Sequence, residues 1–253
     1  MRRYMALAAL YLHLLLEGTL ASLPIPLMAL GGRGFLRRYL VARAAGWARR
    51  AVFLNGGRVT VSGREKIPAT GPVLYVANHQ SALDIPVLLG HLPGTPAFVA
   101  KQELLGLPML GFWMRRIGCV AIDRSHARKG RDAVHEAAQR VRGGQRMVLF
   151  PEGTRTRDPG GAMQPFRRGS FKIAMLADAT VVPVTIEGSR LLMARARPEG
   201  FSGRVQLVVH DPIPLAGMDE EARKRVPEQV ERLISDALSR HHMGTIPQAV
   251  AVP

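Results

Sequence analysis

Cysteine is nearly missing from this chain: Cys119 is the only one in 253 residues. A single thiol excludes an internal disulfide and any cysteine-rich zinc site. It opens the apolar stretch "CVAI", where a small buried thiol is the plain reading and a nucleophile the sharper one. Acidic residues are scarce as well: 19 Asp and Glu stand against 35 Lys and Arg, a formal charge of +16. A surface so unbalanced attracts polyanions, whether nucleic acid, an anionic membrane or a phosphorylated substrate. No zinc finger, RNP motif or aromatic platform favours nucleic acid, which is not expected as a partner. No His or carboxylate cluster has ligand spacing, so no metal is expected. A G-x-S-x-G elbow to present a serine nucleophile is also missing. Aliphatic residues are plentiful: the apolar fraction is 47%, which suits a globular core and not disorder. The length accommodates one large α/β domain with appendages.

Residues 4–32, "YMALAALYLHLLLEGTLASLPIPLMALGG", hold one formally charged side chain, Glu17. A bilayer-spanning helix needs ~20 largely apolar residues, and Tyr4 to Ser22 nearly reaches that before Pro24 and Pro26 interrupt it. A signal peptide competes, with Arg2 and Arg3 as its charged start, but Glu17 falls where its cleavage site should begin. Basic residues flank both ends, with Arg33, Arg37, Arg38 and Arg43 following the segment; that fits a re-entrant or surface-lying segment better than a single pass. The next stretch has helical propensity and a narrow apolar stripe of Leu36, Leu40, Trp47 and Leu54. Residues 1–54 are therefore expected to form a hydrophobic and basic helical membrane anchor, against the blander alternative of an N-terminal core helix. Residues 55–243 would form the main domain and 244–253 a flexible tail.

From residue 58 short β-type runs alternate with helical stretches. Strands are expected at "RVTVSG", "VLYVAN", "AFVA", "CVAID", "RMVLF", "VVPVTI" and "RVQLVV". Helices are expected at about 84–90, 102–114, 127–142, 168–178 and 218–241. This alternation predicts an α/β fold with a single mixed, largely parallel sheet flanked by helices. In such sheets functional groups gather in the loops beyond strand ends.

Three groups of polar residues fall there. "NHQSALD" puts His79 and Asp84 at a strand–helix junction. A histidine accepts a proton near neutral pH, and a carboxylate on its other nitrogen orients it. Five residues apart on one helix, the two would diverge by about 140°, so the pair requires His79 before the helix and Asp84 in its first turn. The same geometry makes Asp84 a cap, and Ser81-x-x-Asp84 matches a capping box. In "MVLFPEGTR" a buried strand ends in Glu152, Gly153, Thr154 and Arg155; glycine permits close backbone approach and an arginine fork suits a phosphate. A polar turn with a solvated ion pair fits it as well. Lys101 after "AFVA", Arg124 in "GCVAIDR", and Arg167, Arg168 and Lys172 in "FRRGSFK" add cations. One strand-end cation is a surface charge, whereas several beside His79 suggest an anion site.

"NHQSALD", "GCVAIDR", "FPEGTR" and "VVPV" occur in the order and approximate spacing of the four motif blocks of the glycerolipid acyltransferases, which the chain resembles over residues 58–210. "PFRRGSFKIA" is similar to the segment that follows the third block there. The resemblance implies the glycerol-3-phosphate acyltransferase-like fold. It makes His79 a general base, Asp84 its orienter, and Lys101, Arg124, Glu152, Gly153, Thr154 and Arg155 the substrate-binding set. Val181 to Val184 would line an acyl groove or simply buttress the sheet. It also implies acyl transfer from acyl-CoA or acyl carrier protein to a 1-acyl-glycerol-3-phosphate at a membrane phospholipid surface. No cofactor is implied, because the acyl donor is a co-substrate. The catalytic domain is expected on the cytoplasmic face. Acylation of another lyso-lipid, such as a lyso-aminolipid, is the rival within this chemistry. A non-catalytic basic membrane-binding module is the rival outside it.

Overall fold

The run "VLYVA" is apolar at every position because all five residues are buried, as befits a central strand covered on both faces. A computed structural model describes residues 2–123, 126–156, 162–194 and 202–242. Helices α1 (Arg2–Ser22), α2 (Ile25–Leu30) and α3 (Gly32–Leu54) come first. There follow β1 (Arg58–Ser62), β2 (Val73–Ala77), α4 (Asp84–His91), β3 (Ala97–Lys101), α5 (Leu110–Arg116), β4 (Val120–Ile122), α6 (Ala127–Arg142) and β5 (Met147–Leu149). The chain continues through α7 (Lys172–Ala177), β6 (Thr180–Glu187), α8 (Ser189–Leu192), β7 (Arg204–Val209), β8 (Ile213–Pro214) and α9 (Glu220–His242).

The strands form one 8-stranded sheet in the order β1-β7-β6-β2-β5-β3-β4, with β8 beside β6. From β6 to β4 all neighbours are parallel; β7 and β8 run antiparallel to β6. The mixed, largely parallel sheet read from the sequence is thus present, with all seven expected strands. Its order brings the C-terminal ends of β2, β5, β3 and β4 side by side. The crossover through α4 runs along the sheet in one direction, and those through α6 and α7 in the other. Right-handed connections therefore put α4 and the α6–α7 pair on opposite faces.

Local chemistry moved some boundaries. The helix expected at 102–114 is a 3-10 turn at Gln102–Gly106 and then α5, because Pro108 has no amide to continue the ladder. The one expected at 168–178 begins as a 3-10 turn, Arg168–Phe171, before α7. The short elements α8 and β8 carry no pattern long enough to read in advance. Pro24 and Pro26 split the N-terminal pair by inserting α2, and Gly32, at φ +87°, turns the chain into α3.

α3 is shared between two sets of contacts. Ala44, Ala48 and Val52 lie in the main core, where α3 packs on α4, while Leu40 joins Leu14, Ala21, Ile25 and Trp113 in a second cluster. Of the expected stripe, Leu36 and Trp47 pack partly buried, but Leu54 is exposed. Glu17 accepts hydrogen bonds from Arg50 and lies 2.7 Å from His13 Nε2, so the one formal charge of the first segment ties α1 to α3. No helix among the described residues is long and apolar enough to cross a membrane.

Candidate active site

The loop after β2 is fixed from both sides. Asn78, 1% exposed, donates from Nδ2 to the Ile186 carbonyl at 2.9 Å and accepts from the Ile186 amide at 2.8 Å. Its side chain therefore prolongs the β2–β6 ladder by one residue and sets where His79 begins. Asp84, 0% exposed, opens α4. Its Oδ2 lies 2.8 Å from His79 Nδ1 and accepts the amides of Gln80 and Ser81, each at 2.7 Å. Its Oδ1 accepts the Ser189 hydroxyl. The carboxylate thus reaches back over the loop before it, and the two readings open to Asp84 hold together: it partners His79, and it accepts the Ser81 amide while Ser81 Oγ accepts the Leu83 amide at 3.2 Å, as in a capping box.

His79 is held in plane as well. Its ring stacks on Phe150 with centroids 4.1 Å apart and 16° between planes, and Phe150 stacks in turn on Phe98. With Nδ1 engaged by Asp84, Nε2 is the nitrogen left for a substrate; that tautomer follows from the hydrogen bonding.

Glu152 and its neighbours occupy the loop after β5. Gly153, at φ +72°, supplies the turn that only glycine enters without strain. Glu152 is 2% exposed, and both oxygens accept backbone amides: His79 N at 2.6 Å and Gln164 N at 2.7 Å. Burial pushes its carboxyl above the usual carboxylate range, and the two amides pull it partly back. The Thr156 amide donates to the His79 carbonyl at 2.9 Å, so the two loops pair along both edges. Glu152, expected in the substrate-binding set, is turned inward and engaged on both oxygens.

The other expected residues face a cavity of about 920 Å³. His79, Lys101, Gly153, Thr154 and Arg155 line it, together with Arg167. Among the described residues no carboxylate pairs with Lys101, Arg155 or Arg167, whereas neighbouring Arg168 bonds Glu228. Arg124 lies outside the described residues. The rest of the lining is largely aliphatic and aromatic. It passes Phe98 and Cys119, at the starts of the β3 and β4 region whose far ends carry Lys101 and Ile122, and reaches Leu10, Leu14 and Trp113. Burial pushes the Cys119 thiol up to about 11, which suits an inert wall residue. Val181, Val182 and Val184 are fully buried in β6 and do not line the cavity. Among the described residues no cluster of His, Cys, Asp or Glu could hold a metal ion.

Sequence reasoning passed over Phe150, Asn78 and Ser189. Phe150 reads as the last apolar residue of a strand and Asn78 as a turn residue. Ser189 lies 105 residues from the Asp84 it touches, and nothing local signals that contact.

A strand-end histidine–aspartate pair thus shares one largely apolar cavity with cations that have no carboxylate partner among the described residues. Comparison with known proteins gives the family. The acyltransferase family model matches residues 58–187. The chain is 32% identical to 1-acyl-sn-glycerol-3-phosphate acyltransferase alpha of Bos taurus over 233 residues, covering 90% of this chain and 75% of that one. It is 34% identical to the chloroplastic 1-acyl-sn-glycerol-3-phosphate acyltransferase BAT2 of Brassica napus, covering 68% of this chain but 51% of that protein, about half its length. The crystal structure of the 1-acyl-sn-glycerophosphate (LPA) acyltransferase PlsC from Thermotoga maritima superposes with a TM-score of 0.71 at 28% identity, covering 98% of this chain and all of that one. The chain belongs to the acyltransferase family, and it has the fold of that enzyme.

Proposed function

We propose that this acyltransferase moves a fatty acyl group from a thioester, acyl-CoA or acyl carrier protein, to the free hydroxyl of 1-acyl-glycerol-3-phosphate, giving phosphatidic acid for phospholipid synthesis. One observation carries the reading: His79, with Nδ1 on Asp84, lines the same largely apolar cavity as Lys101 and Arg155, which have no carboxylate partner among the described residues. That juxtaposition suits a substrate whose phosphate takes the cations, whose hydroxyl meets the imidazole and whose donor chain needs a slot. The names of the relatives support the same acceptor.

In this reading His79 Nε2 takes the hydroxyl proton as the oxygen bonds to the thioester carbonyl carbon. The C–S bond of the tetrahedral intermediate then breaks, and the leaving thiolate recovers the proton from the imidazolium. Asp84 holds the ring and offsets its transient charge. Base catalysis of this kind contributes ~10²–10⁴-fold, so orientation and oxyanion stabilisation supply the remainder. Lys101, Arg155 and Arg167 hold phosphate; Gly153 and Thr154 bring backbone close to the acceptor. Glu152 positions His79 from behind without touching substrate. Ser81 is no nucleophile: its hydroxyl lies buried toward Met193.

The N-terminal helices would bring this site to lipid. Leu12, Leu16 and Leu20, four apart on α1, are more than half exposed, as are Leu23, Leu27, Leu30 and Phe35. Each such side chain gains about 1.5–3 kcal/mol on leaving water. Exposed Arg33, Arg37 and Arg38 follow the strip and suit anionic headgroups. The segment is proposed to lie in one leaflet, with the basic catalytic domain on the cytoplasmic face.

Thiol release by purified protein given acyl-CoA tests the function, with lysophosphatidate and a lyso-aminolipid as alternative acceptors. Release should depend on lysophosphatidate. A rate no higher than that without acceptor removes the proposal, and preference for the lyso-aminolipid replaces the acceptor.

A further inference from the structure

We infer that Ser189 is a positioning residue for His79, acting through Asp84; the inference rests on the proposed role of His79 as base. Three of the four donors to Asp84 sit on one oxygen and come from the adjacent loop: His79 Nδ1 and the amides of Gln80 and Ser81, all on Oδ2. A carboxylate held at one oxygen can still pivot about it. Ser189, bonded to Oδ1, removes that freedom, and among the described residues it is the only donor there. The carboxylate plane then fixes the imidazole, which Phe150 holds from the face.

Ser189 is built for this contact and does no other visible work. It is 0% exposed, and the preceding residue, Gly188, contributes no side-chain cap to α8. Gly188 has φ +86°, and a Cβ there would lie 2.5 Å from the Arg204 carbonyl oxygen. The close approach of β7 thus demands glycine at 188, and that turn delivers the serine hydroxyl to Asp84. Ser189 follows β6, the strand that also grips Asn78. A residue 105 positions along the chain from Asp84 therefore aligns the pair.

Two variants test it, Ser189→Ala and the near-isosteric Ser189→Cys, whose thiol is a weak donor. Losing a hydrogen bond to a charged group costs about ten-fold or more, so kcat with lysophosphatidate should fall by about that factor while its KM stays unchanged. A carboxylate short of one donor binds positive charge more tightly, so the acid limb of the kcat/KM profile should move to higher pH. Wild-type kcat and an unmoved limb in Ser189→Cys overturn the inference. A second readout needs no turnover: imidazole ¹⁵N shifts of His79, titrated in the substrate-free protein. The midpoint should rise in Ser189→Cys, and coincident wild-type and variant curves overturn the inference even if no acyl acceptor is ever found.

Discussion

The backbone amide of His79 donates to Glu152 Oε1 across 2.6 Å, while Oε2 of the same carboxylate holds the Gln164 amide at 2.7 Å. A single buried side chain thereby joins the histidine loop to the loop after β5. Glu152→Gln cannot reproduce this, because a carboxamide offers one acceptor oxygen and turns its NH₂ toward the other amide. A buried donor left unpaired costs about 1–3 kcal/mol, and urea unfolding should show a loss of that size together with reduced turnover. Unfolding and turnover both matching wild type would remove the bracing role.

His79→Ala leaves the Glu152 bond intact, since that bond uses the backbone. Turnover should therefore fall by ~10²–10⁴-fold in a protein that still folds, the lost contacts with Asp84 and Phe150 lowering its stability without unfolding it. Thiol release close to the wild-type rate would show that another group takes the acceptor's proton.

Arg155 faces the cavity, and among the described residues no carboxylate pairs with it. Hydrogen bonds to charged groups contribute about 1.5–3 kcal/mol, so Arg155→Ala should raise the KM for lysophosphatidate at least ten-fold. The effect on kcat should be smaller, and the defect should shrink as added salt weakens phosphate binding in the wild type. An unchanged KM takes Arg155 out of the acceptor site.

Short apolar runs bounded by turn residues sufficed for the seven strands and for the loops after them, because a buried strand is apolar end to end and its exit is polar. Strand order was not legible. That β5 lies between β2 and β3, which is what brings Glu152 against His79, follows from pairing across 73 residues and not from local pattern. The direction of a side chain was equally hidden. Glu152 and Arg155 sit three residues apart in one motif, yet one turns inward to amides and the other lines the cavity. Asp84 shows the same limit, since cap and partner share one sequence pattern.

His210 gives the fold an acid sensitivity that is separate from the active site. It follows β7, with Nε2 2.8 Å from Thr185 Oγ1. Burial, followed by the charges of Lys66 and Arg240, lowers its pKa from 6.5 to about 4, with Asp211 opposing. Above pH 6.5 the imidazole is neutral folded or unfolded and contributes no pH dependence. Between pH 6.5 and 4 the unfolded chain binds the proton and the folded protein resists it, so stability is lost as pH falls through that window. Allowing for its partial exposure, the loss is about 2–3 kcal/mol. Gln at 210 stays neutral throughout and can still bond Thr185. The decline in unfolding free energy from neutral pH to pH 4 should therefore be smaller in His210→Gln than in the wild type. Parallel curves for the two proteins would place the acid sensitivity elsewhere.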